Sequence, residues 1–168
     1  MSLVSIDKDY DALSLEMVAA FAAPIERVWQ LWADPRQLER WWGPPGYPAT
    51  FEDHDLSAGG AVSYFMTNPE GERAHGWWRV KAIDPPRSLA FTDGFAKADG
   101  TPDETYPNTE VRVRLTEQDG GTRMVLRFRF GSAEHMRRIE RWGAFDLFPQ
   151  SVAQMDAVLA DNPTQEGQ

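Results

Sequence analysis

The chain has 168 residues, with 17 Lys+Arg against 26 Asp+Glu, a formal net charge of −9, and no cysteine. That length predicts one domain over 1–168, with an ordered core over about residues 12–160 and a polar tail over 161–168, large enough to fold without a disulfide or metal. The acidic balance repels phosphate backbones and anionic bilayers, so neither nucleic acid nor a membrane is expected as partner. The absence of cysteine excludes thiol catalysis and zinc–thiolate sites and agrees with a reducing cytoplasm.

No signal-peptide pattern is present at the N-terminus, and no run reaches the ~18 apolar residues of a membrane span. Leu13 to Phe21 alternates as a strand. Pro24 opens a short helix with Ile25, Val28, Trp29 and Trp32 on one stripe. Asp34-Pro35-Arg36-Gln37 starts a second, which Gly43-Pro44-Pro45-Gly46 stops. From Ala49 to Phe130 the period is two, with strands over 51–56, 61–67, 72–83, 88–95, 109–117 and 122–130. Residues 96–107 form a polar loop. In the last hairpin Val111, Val113, Leu115, Met124, Leu126 and Phe128 oppose a row of arginines, so one sheet face is buried and the other wet. Ser132 caps a long helix running to about Ala160, in which Pro149 predicts a kink near 145–149.

This order predicts an α+β helix-grip fold, a curved antiparallel sheet wrapped around a long C-terminal helix, with two short helices after the first strand. The gap between helix and sheet is a natural apolar pocket. The chain's 7 tryptophans and 9 phenylalanines come from elements that such a grip brings together.

Catalytic signals are sparse. In Glu52-Asp53-His54-Asp55 alternation lets only Glu52 and His54 project together, which is too few groups for a metal site, so a solvated edge strand is expected. His135 is expected to be exposed. His75 faces outward with Trp77 unless a bulge at Gly76 reverses it. No metal or other cofactor is expected, since no phosphate-cradling loop or nucleophile elbow occurs.

The motifs Pro24-Ile25-Glu26-Arg27-Val28-Trp29, Asp34-Pro35 leading to Trp41-Trp42-Gly43-Pro44, Ile83-Asp84-Pro85-Pro86-Arg87 before Phe91-Thr92, and Gly120-Gly121-Thr122-Arg123-Met124 resemble the START-like (SRPBCC, helix-grip) superfamily. Within it the chain is similar to bacterial stand-alone members of the family named for the activator of the heat-shock protein 90 ATPase, over about Leu13 to Ala160. Phe148-Pro149 departs from that subgroup's pattern, which narrows or redirects the pocket. The eukaryotic namesakes carry a further N-terminal chaperone-binding domain, for which 168 residues leave no room. The resemblance implies a fold and a cavity, and leaves the activity open.

Three functions are therefore carried forward. The first is binding of a small apolar or aromatic molecule between helix and sheet, with Trp42, Tyr64, Met66, Trp78, Phe91, Val113, Leu126, Phe128, Phe145 and Phe148 as lining candidates. The second is a metal-free cyclase or hydrolase in which His75, Tyr64, Asp93 or Tyr106 does acid–base work. The third is a chaperone-related protein–protein regulator. A homodimer is among the partners left open.

Overall fold

A computed structural model describes residues 3–161. In chain order the elements are β1 (Leu3–Asp9), β2 (Ser14–Phe21), α1 (Ile25–Ala33), α2 (Pro35–Trp42), β3 (Ala49–His54), β4 (Ala61–Thr67), β5 (Arg73–Asp84), β6 (Ser88–Ala96), β7 (Thr109–Gln118), β8 (Gly121–Arg129), α3 (Ala133–Arg141), α4 (Ala144–Ala153) and α5 (Met155–Asp161). All strands join one antiparallel sheet in the order β1-β2-β8-β7-β6-β5-β4-β3, curved around the C-terminal helical arm as a helix grip.

Local chemistry sets the boundaries. Asp34 accepts a hydrogen bond from the Arg36 amide at 2.9 Å and Pro35 follows at the first helical position, which satisfies the free N–H groups of α2. Asn68 accepts from the amides of Glu70 and Glu72, and Gly71 takes a positive φ of 87°, which closes the β4–β5 hairpin. Asp119 and Gly120, both at positive φ, make the two-residue β7–β8 turn.

Two features differ from the sequence expectation. The ordered part begins before residue 12, because β1 pairs with β2 from Asp9↔Ser14 to Leu3↔Ala19. Six of its seven residues are exposed, Val4 and Ile6 included, so its apolar residues mark no buried face. The C-terminal arm, spanning 133–161, is three helices joined at Gly143 and Gln154 and not one long helix, and Pro149 lies inside α4. Gly143 adopts φ 83°, a conformation that side chains with a Cβ resist. At the second joint the Gln154 amide donates to the carbonyls of Trp41 and Gly43, at 3.2 and 2.7 Å. That contact pins the arm to the end of α2. The tail expected over 161–168 lies, from 162 onward, outside the described residues.

The inner sheet face and the apolar sides of α1, α2, α4 and α5 form one core. Arg27 is buried beneath it, donating to Gln37 at 2.7 Å and to the Val158 carbonyl at 3.2 Å, and so joins α1, α2 and α5. Among the described residues no helix is long and apolar enough to cross a membrane.

Candidate functional site

A cavity of about 300 Å³ lies between α4 and the inner sheet face, bounded by the end of α2 and by Ile139 and Trp142 of the helical arm. Its sheet wall follows from register. One cross-strand row runs Val62, Trp78, Asp93, Thr109, and the next runs Phe51, Tyr64, Gly76, Phe95; of these, Asp93, Thr109, Tyr64 and Phe95 border the cavity. Alternation sends all of these side chains inward. Gly76 is required where it stands, since a Cβ there would come within 2.4 Å of the Tyr64 ring. Its bare backbone lets that ring lie across β5 and reach Asp93 on β6.

The Tyr64 hydroxyl donates to Asp93 Oδ1 at 2.8 Å. Burial pushes the Asp93 carboxyl up to about 7, against the opposing influence of Tyr64 and the Trp78 indole N–H. Burial first, and then the neighbouring carboxylate, push the Tyr64 phenol well above its usual range. The indole N–H groups of Trp32, Trp42 and Trp78 are buried and make no hydrogen bond of normal geometry among the described residues. Those of Trp42 and Trp78 nonetheless lie close enough to the Tyr64 oxygen to favour its anion. The cavity thus has apolar walls and one polar patch, in which a carboxyl near neutrality can hold or release a proton.

Of the lining candidates, Trp42, Tyr64, Met66, Leu126, Phe128 and Phe148 border the cavity. Phe148 stacks on Phe128, ring centroids 4.5 Å apart, and forms part of the wall. Trp78, Phe91, Val113 and Phe145 do not border it. Trp78 and Phe91 stack on each other at 4.0 Å and fill the core beneath α1 and α2. Val113 is fully buried two inward-facing positions beyond Thr109 on β7, and Phe145 turns toward Phe130.

Of the acid–base candidates, Tyr64 and Asp93 meet. His75 borders the cavity but does not join them: the β4–β5 register is unbroken at Gly76, and its ring packs against Phe65, centroids 5.6 Å apart. Tyr106 does not border the cavity; it packs with Phe95 and Trp142 under the Arg138 guanidinium. Trp77 covers Gly94 on the outer face and donates to the Phe95 carbonyl at 2.9 Å.

The other histidines are structural. His54 is held to the Trp32 carbonyl at 3.1 Å, and burial lowers its pKa. His135, expected to be exposed, is instead 3% exposed, edge-on to Phe130. Neither of its ring nitrogens has a partner among the described residues, and burial lowers its pKa too. Helical position alone did not show that α3 folds its first turn onto Phe130, just past β8. Among the described residues no three His, Asp or Glu side chains are placed to hold a metal.

Alternation would have found the small wall residues missed in the sequence, Ala74 and Thr109, because they share the inner face with Trp78 and Val111. Ser151 needed the docking of α4.

A family model described as activator of Hsp90 ATPase homolog 1-like protein matches residues 22–160. Among solved structures, protein Ms6760 from Mycobacterium smegmatis is 44% identical with a TM-score of 0.86, over 94% of this chain and 96% of that one. A protein from Arthrobacter aurescens, solved by NMR, is 45% identical with a TM-score of 0.90, over 94% of this chain and 92% of its own. A Staphylococcus epidermidis protein at 20% identity and TM-score 0.82 shares the fold. No curated protein matches the chain.

Proposed function

For a chain that belongs to the activator of Hsp90 ATPase homolog 1-like family, we propose that it is a binding protein for a small apolar or aromatic molecule, working in the cytoplasm. The observation that carries this reading is the cavity of about 300 Å³ between α4 and the sheet, walled mainly by apolar side chains. A ligand there removes apolar surface from water on both sides, worth about 25 cal/mol per Å² before the costs of association. Trp41 and Trp42 border the space, so occupancy should quench tryptophan fluorescence. Native mass spectrometry of gently purified protein, together with quenching titrations against a library of aromatic compounds, is the test. A co-purified mass or saturable quenching is expected. Failure of every compound to bind, with the interior inaccessible to apolar probes, would remove the reading.

The Tyr64–Asp93 contact favours a second reading, a metal-free enzyme of the cyclase or hydrolase type in which the cavity holds a flexible substrate folded. A carboxyl titrating near pH 7 suits general acid–base work. Turnover of ester or cyclisable polyketone substrates, abolished in Asp93→Asn, would favour the enzyme. Binding without turnover would favour the carrier.

A further inference from the structure

The outer face of the sheet, turned away from the cavity, carries a concentration of positive charge that the fold does not use. Arg112 and Arg114 on β7 and Arg123, Arg127 and Arg129 on β8 alternate with buried residues of the same strands, so all five project outward. Arg123 is half-buried and the other four are exposed. β7 and β8 are paired in the middle of the sheet, which makes these side chains one patch.

The patch is uncompensated, although the chain holds 26 Asp+Glu. No ion pair and no side-chain hydrogen bond among the described residues includes any of the five. Arg112 and Arg127 stand directly opposite each other, and like charges in that relation destabilise a sheet. Arg129 faces Glu110, but Glu110 pairs with Lys81 at 2.6 Å and accepts from the Thr92 hydroxyl. Arg127 faces Glu16 on its other side without closing an ion pair. Nearby, Arg87 and Glu117 do pair, at 3.5 Å, so carboxylates are used on this face where only stability is at stake.

We propose that the outer face of β7 and β8 is a docking surface for an extended acidic peptide segment of a partner protein. The argument is charge complementarity on a matching repeat. Outward residues recur every ~6.8 Å along a strand and neighbouring strands lie about 4.8 Å apart. Carboxylates on alternate residues of an extended segment have the same ~6.8 Å repeat, so each can meet a guanidinium as the segment runs along the two strands. A duplex or an anionic bilayer fits less well. The patch is bordered by Asp7 and Glu16 on one side and by Glu117 and Asp119 at the hairpin end. A broad polyanion would meet these carboxylates as well as the arginines, whereas a single strand can follow the arginines alone. The net charge of −9 is screened beyond about 8 Å at physiological salt, so it does not oppose contact at the patch itself.

The test is fluorescence anisotropy of the full chain with a labelled peptide of alternating Glu and Thr, beside its Gln–Thr counterpart, single-stranded and duplex DNA, and phosphatidylserine vesicles. At low salt the Glu–Thr peptide should bind about ten-fold or more tightly than the Gln–Thr peptide, and the difference should shrink as salt is added. Arg112→Gln with Arg127→Gln should remove most of that preference, while Arg137→Gln, on exposed α3 surface, should leave it unchanged. Arg112→Glu sets opposite charges across the pair with Arg127 and should fold with an equal or higher denaturation midpoint while abolishing peptide binding, which separates the surface from stability. Equal affinity for the two peptides, or a preference that survives loss of Arg112 and Arg127, would overturn the proposal. So would tighter binding of DNA or vesicles, or salt-sensitive self-association of the chain without peptide, which would make a second copy the occupant.

Discussion

The two ends of the grip use their inner surfaces in opposite ways. Beneath α1 and α2, Trp32 packs edge-on to Trp41 at 4.7 Å, Trp42 packs edge-on to Trp78 at 5.0 Å, and Trp78 stacks on Phe91, which leaves that end solid. Beneath α4, Thr109 and Ser151 stand on the wall where large rings would close the space, and the cavity remains open. Rings stand at both ends, Phe128 and Phe148 stacking on the cavity wall, so it is how they pack against one another, and not their number, that leaves one end hollow. Trp42 is the partition, touching the solid cluster on one side and the cavity on the other.

Truncating the solid end should have the largest effect. Trp78→Ala should cost about 3–5 kcal/mol in urea denaturation. A loss below about 1 kcal/mol would mean that the end is not close-packed. Gly76→Ala comes next, because its Cβ would meet the Tyr64 ring. A loss of about 1–3 kcal/mol is expected, and the Asp93 titration followed by NMR should move upward as the Tyr64 donor is displaced.

Asp93 supplies a pH-dependent contrast between the ends. Its folded value of about 7 stands above the ordinary 3.8, so in that window the native chain holds a proton that the unfolded chain has released. Its contribution to stability is thus fully present below about pH 4, is lost as pH rises through 7, and is level above that. The stability of Asp93→Asn relative to the native protein should rise across the same window, measured by denaturation at a series of pH values. A flat difference would place the carboxyl in water. The smallest effect is expected from filling the hollow end. Ser151→Leu should change stability by less than about 1 kcal/mol while abolishing ligand-dependent tryptophan quenching. A large destabilisation would show that the space was never open.

How far the sequence foretold these regions depended on the range of the interactions. The strands from Ala61 to Arg129 were legible because alternation reports burial on one face, and the caps at Asp34 and Ser132 because those contacts are local. β1 was not, because it is an edge strand in which even the apolar Val4 and Ile6 face water. Trp78 and Phe91 were expected on the cavity wall, since composition reports that large rings are present and not whether their neighbours leave room beside them.

By itself the sequence determined the α+β helix grip and the inward face of the last hairpin, with Val111, Val113, Leu115, Met124, Leu126 and Phe128 turned from the arginines. Only the tertiary structure decided that Tyr64 reaches across Gly76 from one cross-strand row to Asp93 in the next, that His75 packs against Phe65 and His135 is buried, and that the helical arm is articulated at Gly143 and Gln154. The reason is physical. Periodicity encodes which face of an element avoids water, whereas a cavity and its polar patch arise from the mutual placement of elements distant in sequence.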